Sequence, residues 1–138
     1  MADKPKILCV DDRAENLRIR VLLLEQFGCE VVAATDQKSA LRAVAESHPD
    51  LAIIDYHLAG NENGEDLARD IRVMDSRIRL VMLTGDNKLP ESAVQVVDAV
   101  LIKGASNPRS LFETIEKLLP GADLRPLRPM IIPDRKAS

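Results

Sequence analysis

Residues 51–58 read Leu51-Ala52-Ile53-Ile54-Asp55-Tyr56-His57-Leu58, and the order of these residues decides the fold. Four apolar residues in unbroken succession suit a strand buried on both faces. The carboxylate of Asp55 closes the run. Comparable apolar runs occur on either side. Ile7-Leu8-Cys9-Val10 leads into Asp11-Asp12, and Val31-Val32-Ala33-Ala34 leads into Asp36. Leu80-Val81-Met82-Leu83 ends at Thr84-Gly85, and Ala99-Val100-Leu101-Ile102 ends at Lys103.

Helix-period segments separate these runs. Asn16 to Phe27 carries Leu17, Val21 and Leu24 at helical spacing, with Leu22 and Leu23 widening the stripe, and Gly28 ends it. Asp36 is placed to cap a helix through Ala40, Leu41 and Val44 that stops before Pro49. After a loop from Ala59 to Gly64, Leu67, Ile71 and Met74 mark a third helix. Ala93, Val94 and Val97 mark a weaker fourth, with Pro90 in its first turn. Asn107-Pro108 opens a fifth, striped by Leu111, Ile115, Leu118 and Leu119 and carrying a Glu113–Lys117 ion pair. Five βα units of this kind predict an α/β fold with an open parallel sheet.

Composition agrees. The chain has 138 residues, 46% apolar and 30% charged, which suits one globular domain. One Tyr, two Phe and no Trp leave the core to aliphatic side chains. A net charge of −3 with no basic face argues against direct nucleic-acid binding. Cys9 and Cys29 sit inside apolar stretches and read as buried, reduced thiols. No leader-like or membrane-length apolar run is present, so a cytoplasmic protein is expected.

From Pro120 the character changes. Pro120, Pro126, Pro129 and Pro133 are too dense for a helix or a central strand. The expected division is a domain over residues 1–119 and an extended Pro-rich tail over 120–138. Leu127, Met130, Ile131 and Ile132, interleaved with Arg125, Arg128, Arg135 and Lys136, leave two readings of the tail. It is a disordered terminus, or an arm that docks on its own domain or on a second copy and aids homodimer formation.

The polar residues carry the chemistry. In an open parallel sheet, ligands bind outside the carboxyl ends of the strands. Asp11, Asp12, Asp55, Thr84 and Lys103 all fall there. Three gathered carboxylates repel one another unless a cation intervenes, and Mg²⁺ takes such hard oxygen donors. Its two charges and that of Lys103 cancel the three carboxylates. Asp55, on the middle strand, is the expected nucleophile toward phosphorus. Asp11 and Asp12 hold the metal, Lys103 offsets charge on the transferring oxygens, and the Thr84 hydroxyl turns toward the transferred group. Gly85 leaves room beside it.

The segments ILCVDD at 7–12, LAIIDYHL at 51–58, VMLTG at 81–85 and VLIKG at 100–104 resemble the receiver domains of two-component response regulators, over roughly residues 5 to 119. The resemblance implies a flavodoxin-like, doubly wound (βα)₅ sheet with strand order 2-1-3-4-5. It implies phosphorylation of Asp55, a direct Mg²⁺ contact from Asp12, and a water-mediated one from Asp11. It also implies a metal contact from the backbone carbonyl of His57, a switch role for Thr84 and phosphate binding by Lys103. The implied phosphodonor is a sensor histidine kinase or a histidine phosphotransfer protein. Output is expected through a downstream protein partner at the fourth helix, fifth strand and fifth helix, since the chain leaves no room for an effector module; a piece of a larger hybrid kinase or regulator is the alternative. The chain departs from the family pattern at Val100, where an aromatic is frequent, and at Gly104 and Ala59, where proline is frequent. The loop before Gly64 is one residue longer. A trans bond is expected at Lys103-Gly104. His57 and Asp86 stand where such proteins tune phosphate loss, while His48 reads as a helix end.

Two other functions are compatible with parts of this pattern. One is a receiver-like interaction module that no longer switches, motivated by Val100, Gly104 and Ala59. The other is a Mg²⁺-dependent phosphatase, disfavoured because His57 stands where an acid would serve the leaving group. The preferred reading is a regulatory phospho-acceptor, not an enzyme that turns over a separate substrate.

Overall fold

The computed structural model describes residues 4–85, 89–103 and 108–126. Asp86, Gly104, Asn107 and the tail beyond Pro126 lie outside the described residues, and with them the expectations attached to those positions. Five strands form one parallel sheet in the order β2-β1-β3-β4-β5, as expected. They are β1 (Lys6–Val10), β2 (Glu30–Ala34), β3 (Leu51–Asp55), β4 (Arg79–Thr84) and β5 (Ala99–Ile102). Between and after them run α1 (Ala14–Gln26), α2 (Gln37–Ser47), α3 (Gly64–Met74), α4 (Glu91–Val96) and α5 (Pro108–Leu118).

The unbroken apolar runs are explained by two cores, one on each face of the sheet. Successive side chains of a strand point to opposite faces. Leu8, Val10, Ala52, Ile54, Leu80 and Met82 therefore meet α2 and α3, through Ala40, Val44, Leu67 and Ile71. Ile7, Cys9, Leu51, Ile53, Val81 and Leu83 meet α1 and α5, through Leu17, Leu24, Leu111 and Ile115. Phe27 and Phe112 join that second core edge to face, with ring centroids 5.1 Å apart. Both cysteines are free and buried.

Local signals set the helix ends. Asp36 accepts from the Ser39 amide at 2.8 Å and forms a capping box for α2. His48 ends that helix in the left-handed region, with φ 50°. Gly28, with φ 92°, turns the chain after α1.

Four expectations need correction. Leu22 is 55% exposed and Met74 46% exposed, so neither extends a buried stripe. Leu22 lies around α1 from the residues facing the sheet, whereas Met74 shares the face of Leu67 and Ile71 but is the last residue of α3, past the cover of the core. Pro90 precedes α4 as its cap, and its extended ψ of 147° keeps it out of the first turn. Among the described residues Glu113 and Lys117 form no ion pair, whereas Glu65 and Arg69 on α3 do. Glu113 and Lys117 are both exposed, where such a pair gains little, whereas Glu65 is largely covered.

Arg72, near the end of α3, ties neighbouring segments together. Its guanidinium donates to the carbonyls of Ile78 (3.3 Å) and Val96 (2.8 Å) and to the Asp98 carboxylate (3.3 Å). Asp98 in turn accepts from the Leu80 amide at 2.8 Å.

The described part of the tail, up to Pro126, has no helix or strand but stays on the domain. Leu124 packs against the α1/α5 core, and the Arg125 amide donates to the Phe27 carbonyl at 2.7 Å. Deleting residues 121–138 is therefore expected to lower unfolding free energy by about 1–2 kcal/mol, read by denaturant titration. Unchanged stability would remove the docking role of these residues.

Candidate functional site

The carboxyl ends of β1, β3, β4 and β5 deliver the polar residues to one edge. Asp11 directly follows β1, and its amide donates to the Ala34 carbonyl at 3.2 Å, so backbone pairing with the neighbouring strand fixes it. Asp55 is the last residue of β3, in register with Leu83. Thr84 ends β4, in register with Ile102. Lys103 comes next, and its amide donates to the Thr84 carbonyl at 2.7 Å. Strand register and backbone pairing thus place each of these residues at the edge.

The side chains then meet. Lys103 Nζ lies 2.7 Å from Asp55 Oδ2 and 3.6 Å from Asp11 Oδ2. Carboxylate oxygens of Asp11, Asp12 and Asp55 all lie within 4.8 Å of one another. Asp11 is fully buried, Asp55 is 4% exposed and Thr84 1% exposed. A cluster of hard oxygen donors this close, partly open to solvent through Asp12, fits a small divalent cation with water in its remaining positions.

Electrostatics follow from burial. Desolvation pushes the Asp55 carboxyl above its ordinary range, and the neighbouring Asp11 charge adds to this. The hydrogen bond and charge of Lys103 pull the other way without cancelling it. Burial likewise pushes the Cys9 thiol up to about 11, against the opposing pull of Arg20.

The loop after β3 is held by its backbone. The His57 amide reaches Asp55 Oδ1 at 3.3 Å, and His57 pairs with Asn63 in an isolated bridge. The His57 ring is exposed and stands edge-on to Tyr56, with centroids 4.9 Å apart. Asn63 caps α3 by accepting from the Asp66 amide at 2.9 Å.

Two residues of the site escaped the reading of the sequence. Gly64 donates its amide to the Tyr56 carbonyl at 2.7 Å. A Cβ there would lie 2.6 Å from the Asp55 carbonyl oxygen and 2.9 Å from both Met82 Sδ and the Tyr56 Cα. Arg20, on α1, reaches Asp11 Oδ2 at 3.1 Å. The signal was present in its spacing: Leu17, Arg20 and Leu24 fall on one helix face, so an arginine occupies the apolar stripe.

Residues 7–115 match the family described as the response regulator receiver domain. The DNA-binding response regulator MtrA of Mycolicibacterium paratuberculosis is 38% identical over 81 residues, 59% of this chain and 35% of that protein. The sensor protein GacS of Pseudomonas syringae pv. syringae is 36% identical over 72 residues, 52% of this chain and 8% of that protein. The chain thus spans about a third or less of these curated relatives. Among solved structures, a CheY-like response regulator receiver domain protein from Methanospirillum hungatei superposes with TM-score 0.75 at 31% identity, covering 83% of this chain and 94% of that one. The chemotaxis protein CheY4 of Vibrio cholerae gives 0.77 at 25%, covering 84% and 99%.

Two outcomes are expected of this geometry. Gly64→Ala forces Asp55, Tyr56 and Met82 apart and is expected to cost about 1–3 kcal/mol of stability in denaturant unfolding. Asp55→Asn tests the buried charge. The folded protein holds the Asp55 proton more tightly than the unfolded chain, so native stability falls as pH rises through the folded pKa. In metal-free solution at pH 7, Asp55→Asn is expected to raise Tm, and the gain is expected to shrink as pH falls toward the carboxylate range. An unchanged or lower Tm at pH 7 would contradict this account.

Proposed function

Because this chain belongs to the response regulator receiver domain family of two-component signalling, we propose that it is a phospho-acceptor switch modified on Asp55. The observation that carries the reading is the contact of Lys103 Nζ with Asp55 Oδ2 at 2.7 Å, beside two further carboxylates.

A carboxylate oxygen of Asp55 attacks the phosphorus of a phosphohistidine on a sensor histidine kinase or phosphotransfer protein. The phosphorus–nitrogen bond breaks, its electron pair stays with the imidazole, and an acyl phosphate forms on Asp55. Lys103 stands where it can pair with the transferred oxygens, and the Thr84 hydroxyl, one residue beyond the neighbour of Asp55 in the sheet, can donate to them. Asp11, Asp12, Asp55 and the His57 carbonyl are the groups proposed to hold Mg²⁺. The metal would supply charge to offset the phosphoryl oxygens in flight. Water attack on the acyl phosphate resets the domain, so the chemistry serves regulation and not turnover of a separate substrate.

The added charge then alters the loops that carry Thr84 and Lys103 and so the surface a downstream partner meets. We read residues 1–119 as the receiver and 120–138 as its appended arm. Among the described residues no helix is long and apolar enough to cross a membrane. With the two free thiols, this supports a cytoplasmic place of action beside the donor kinase.

A small phosphodonor such as acetyl phosphate, with Mg²⁺, is expected to add one phosphoryl mass to the native chain, mapping to Asp55 by peptide mass spectrometry. Asp55→Ala is expected to take none, and Lys103→Met to be modified at least tenfold more slowly. Absence of modification in the native chain, or modification elsewhere, would favour an inert interaction module.

A further inference from the structure

Arg20 stands directly behind the acidic cluster and has no part in the chemistry described so far. Its guanidinium contacts Asp11 Oδ2 at 3.1 Å, with only 15% of the Arg20 side chain exposed and none of Asp11. Its charge also opposes the upward push that burial gives the Cys9 thiol. The other Asp11 oxygen accepts from the Arg13 amide at 2.9 Å. Asp11 is therefore engaged at both oxygens within the chain, and its Oδ2 is shared between Arg20 and Lys103. A guanidinium stays charged at every accessible pH.

This changes the charge balance of the site. Without Arg20, a divalent cation and Lys103 bring the three carboxylates to neutrality before any phosphoryl group arrives. With Arg20 counted, the metal-free cluster carries one net negative charge, and cation binding turns it to one net positive charge. Converting the Asp55 carboxylate into a phosphoryl group of about −2 then restores neutrality.

We propose that Arg20 is a positioning and charge-setting residue. It holds Asp11 in the metal-free protein, weakens Mg²⁺ binding before phosphorylation, and places the electroneutral point of the site at the phosphorylated, metal-loaded state. The proposal rests on the phospho-acceptor reading above. Arg20 and the cation draw on the same buried carboxylate and repel each other. Asp11 and Asp55 also tolerate burial without metal because Arg20 already compensates one of them.

The test is Mg²⁺ titration by calorimetry, paired with thermal melts in EDTA, on the native chain, Arg20→Gln and Arg20→Lys. Arg20→Gln is expected to bind Mg²⁺ on the order of five-fold more tightly or better. It is also expected to melt lower in EDTA and to gain more from added Mg²⁺. Arg20→Lys, which keeps the charge, is expected to bind Mg²⁺ within about twofold of the native chain. A merely structural arginine would lower the melting point in both variants and leave Mg²⁺ affinity unchanged. Equal or weaker Mg²⁺ binding by Arg20→Gln, with the native chain still modified on Asp55, overturns this inference alone. Failure of the native chain to bind Mg²⁺ or to be modified on Asp55 overturns the phospho-acceptor reading and this inference with it. If Arg20→Gln does not fold in EDTA but folds in Mg²⁺, the compensating role is upheld.

Discussion

Three carboxylates pressed into one end of a parallel sheet are the constraint around which the molecule is arranged. Left alone they would repel, and burial would worsen the repulsion. Lys103 at 2.7 Å from Asp55 and Arg20 at 3.1 Å from Asp11 answer that repulsion from two sides. One cation comes from the loop after the last strand and the other from the first helix. The cluster is thereby tied to the first helix and to the last strand, and neither α1 nor the end of β5 can shift without disturbing it.

The backbone carries most of the precision. Asp11, Asp55, Thr84 and Lys103 each follow or close a strand whose neighbours are in ladder contact. Side-chain rotamers need only finish what strand register begins. Gly64 serves the same end by letting the loop pass within contact distance of the Asp55 carbonyl, where a side chain would push it away. The geometry of the site is thus set chiefly by the sheet edge.

Much of this was legible in the residues alone. Unbroken aliphatic runs such as Leu51–Ile54 announced strands covered on both faces, and Asp36 announced a helix start. The polar residues closing those runs announced one edge of chemistry. What escaped reading depended on three-dimensional neighbours. Arg20 looked like one more helix charge, because a linear pattern does not say which turn of α1 lies over Asp11. Gly64 looked like loop composition, because its close approach is made by β3 and β4. Leu22 looked like core because apolarity reports preference and not direction, and Met74 because its spacing is right although the helix ends there. The Glu113–Lys117 spacing allowed a pair that solvation makes too weak to hold.

The guanidinium of Arg72 has a mechanical meaning. It grips the carbonyl leaving α4, the one that leads into β4, and the carboxylate guarding the entrance to β5. Those three segments are therefore held to one another through a single side chain near the end of α3. Displacement of α4 leaves donors of Arg72 stranded unless α3 follows.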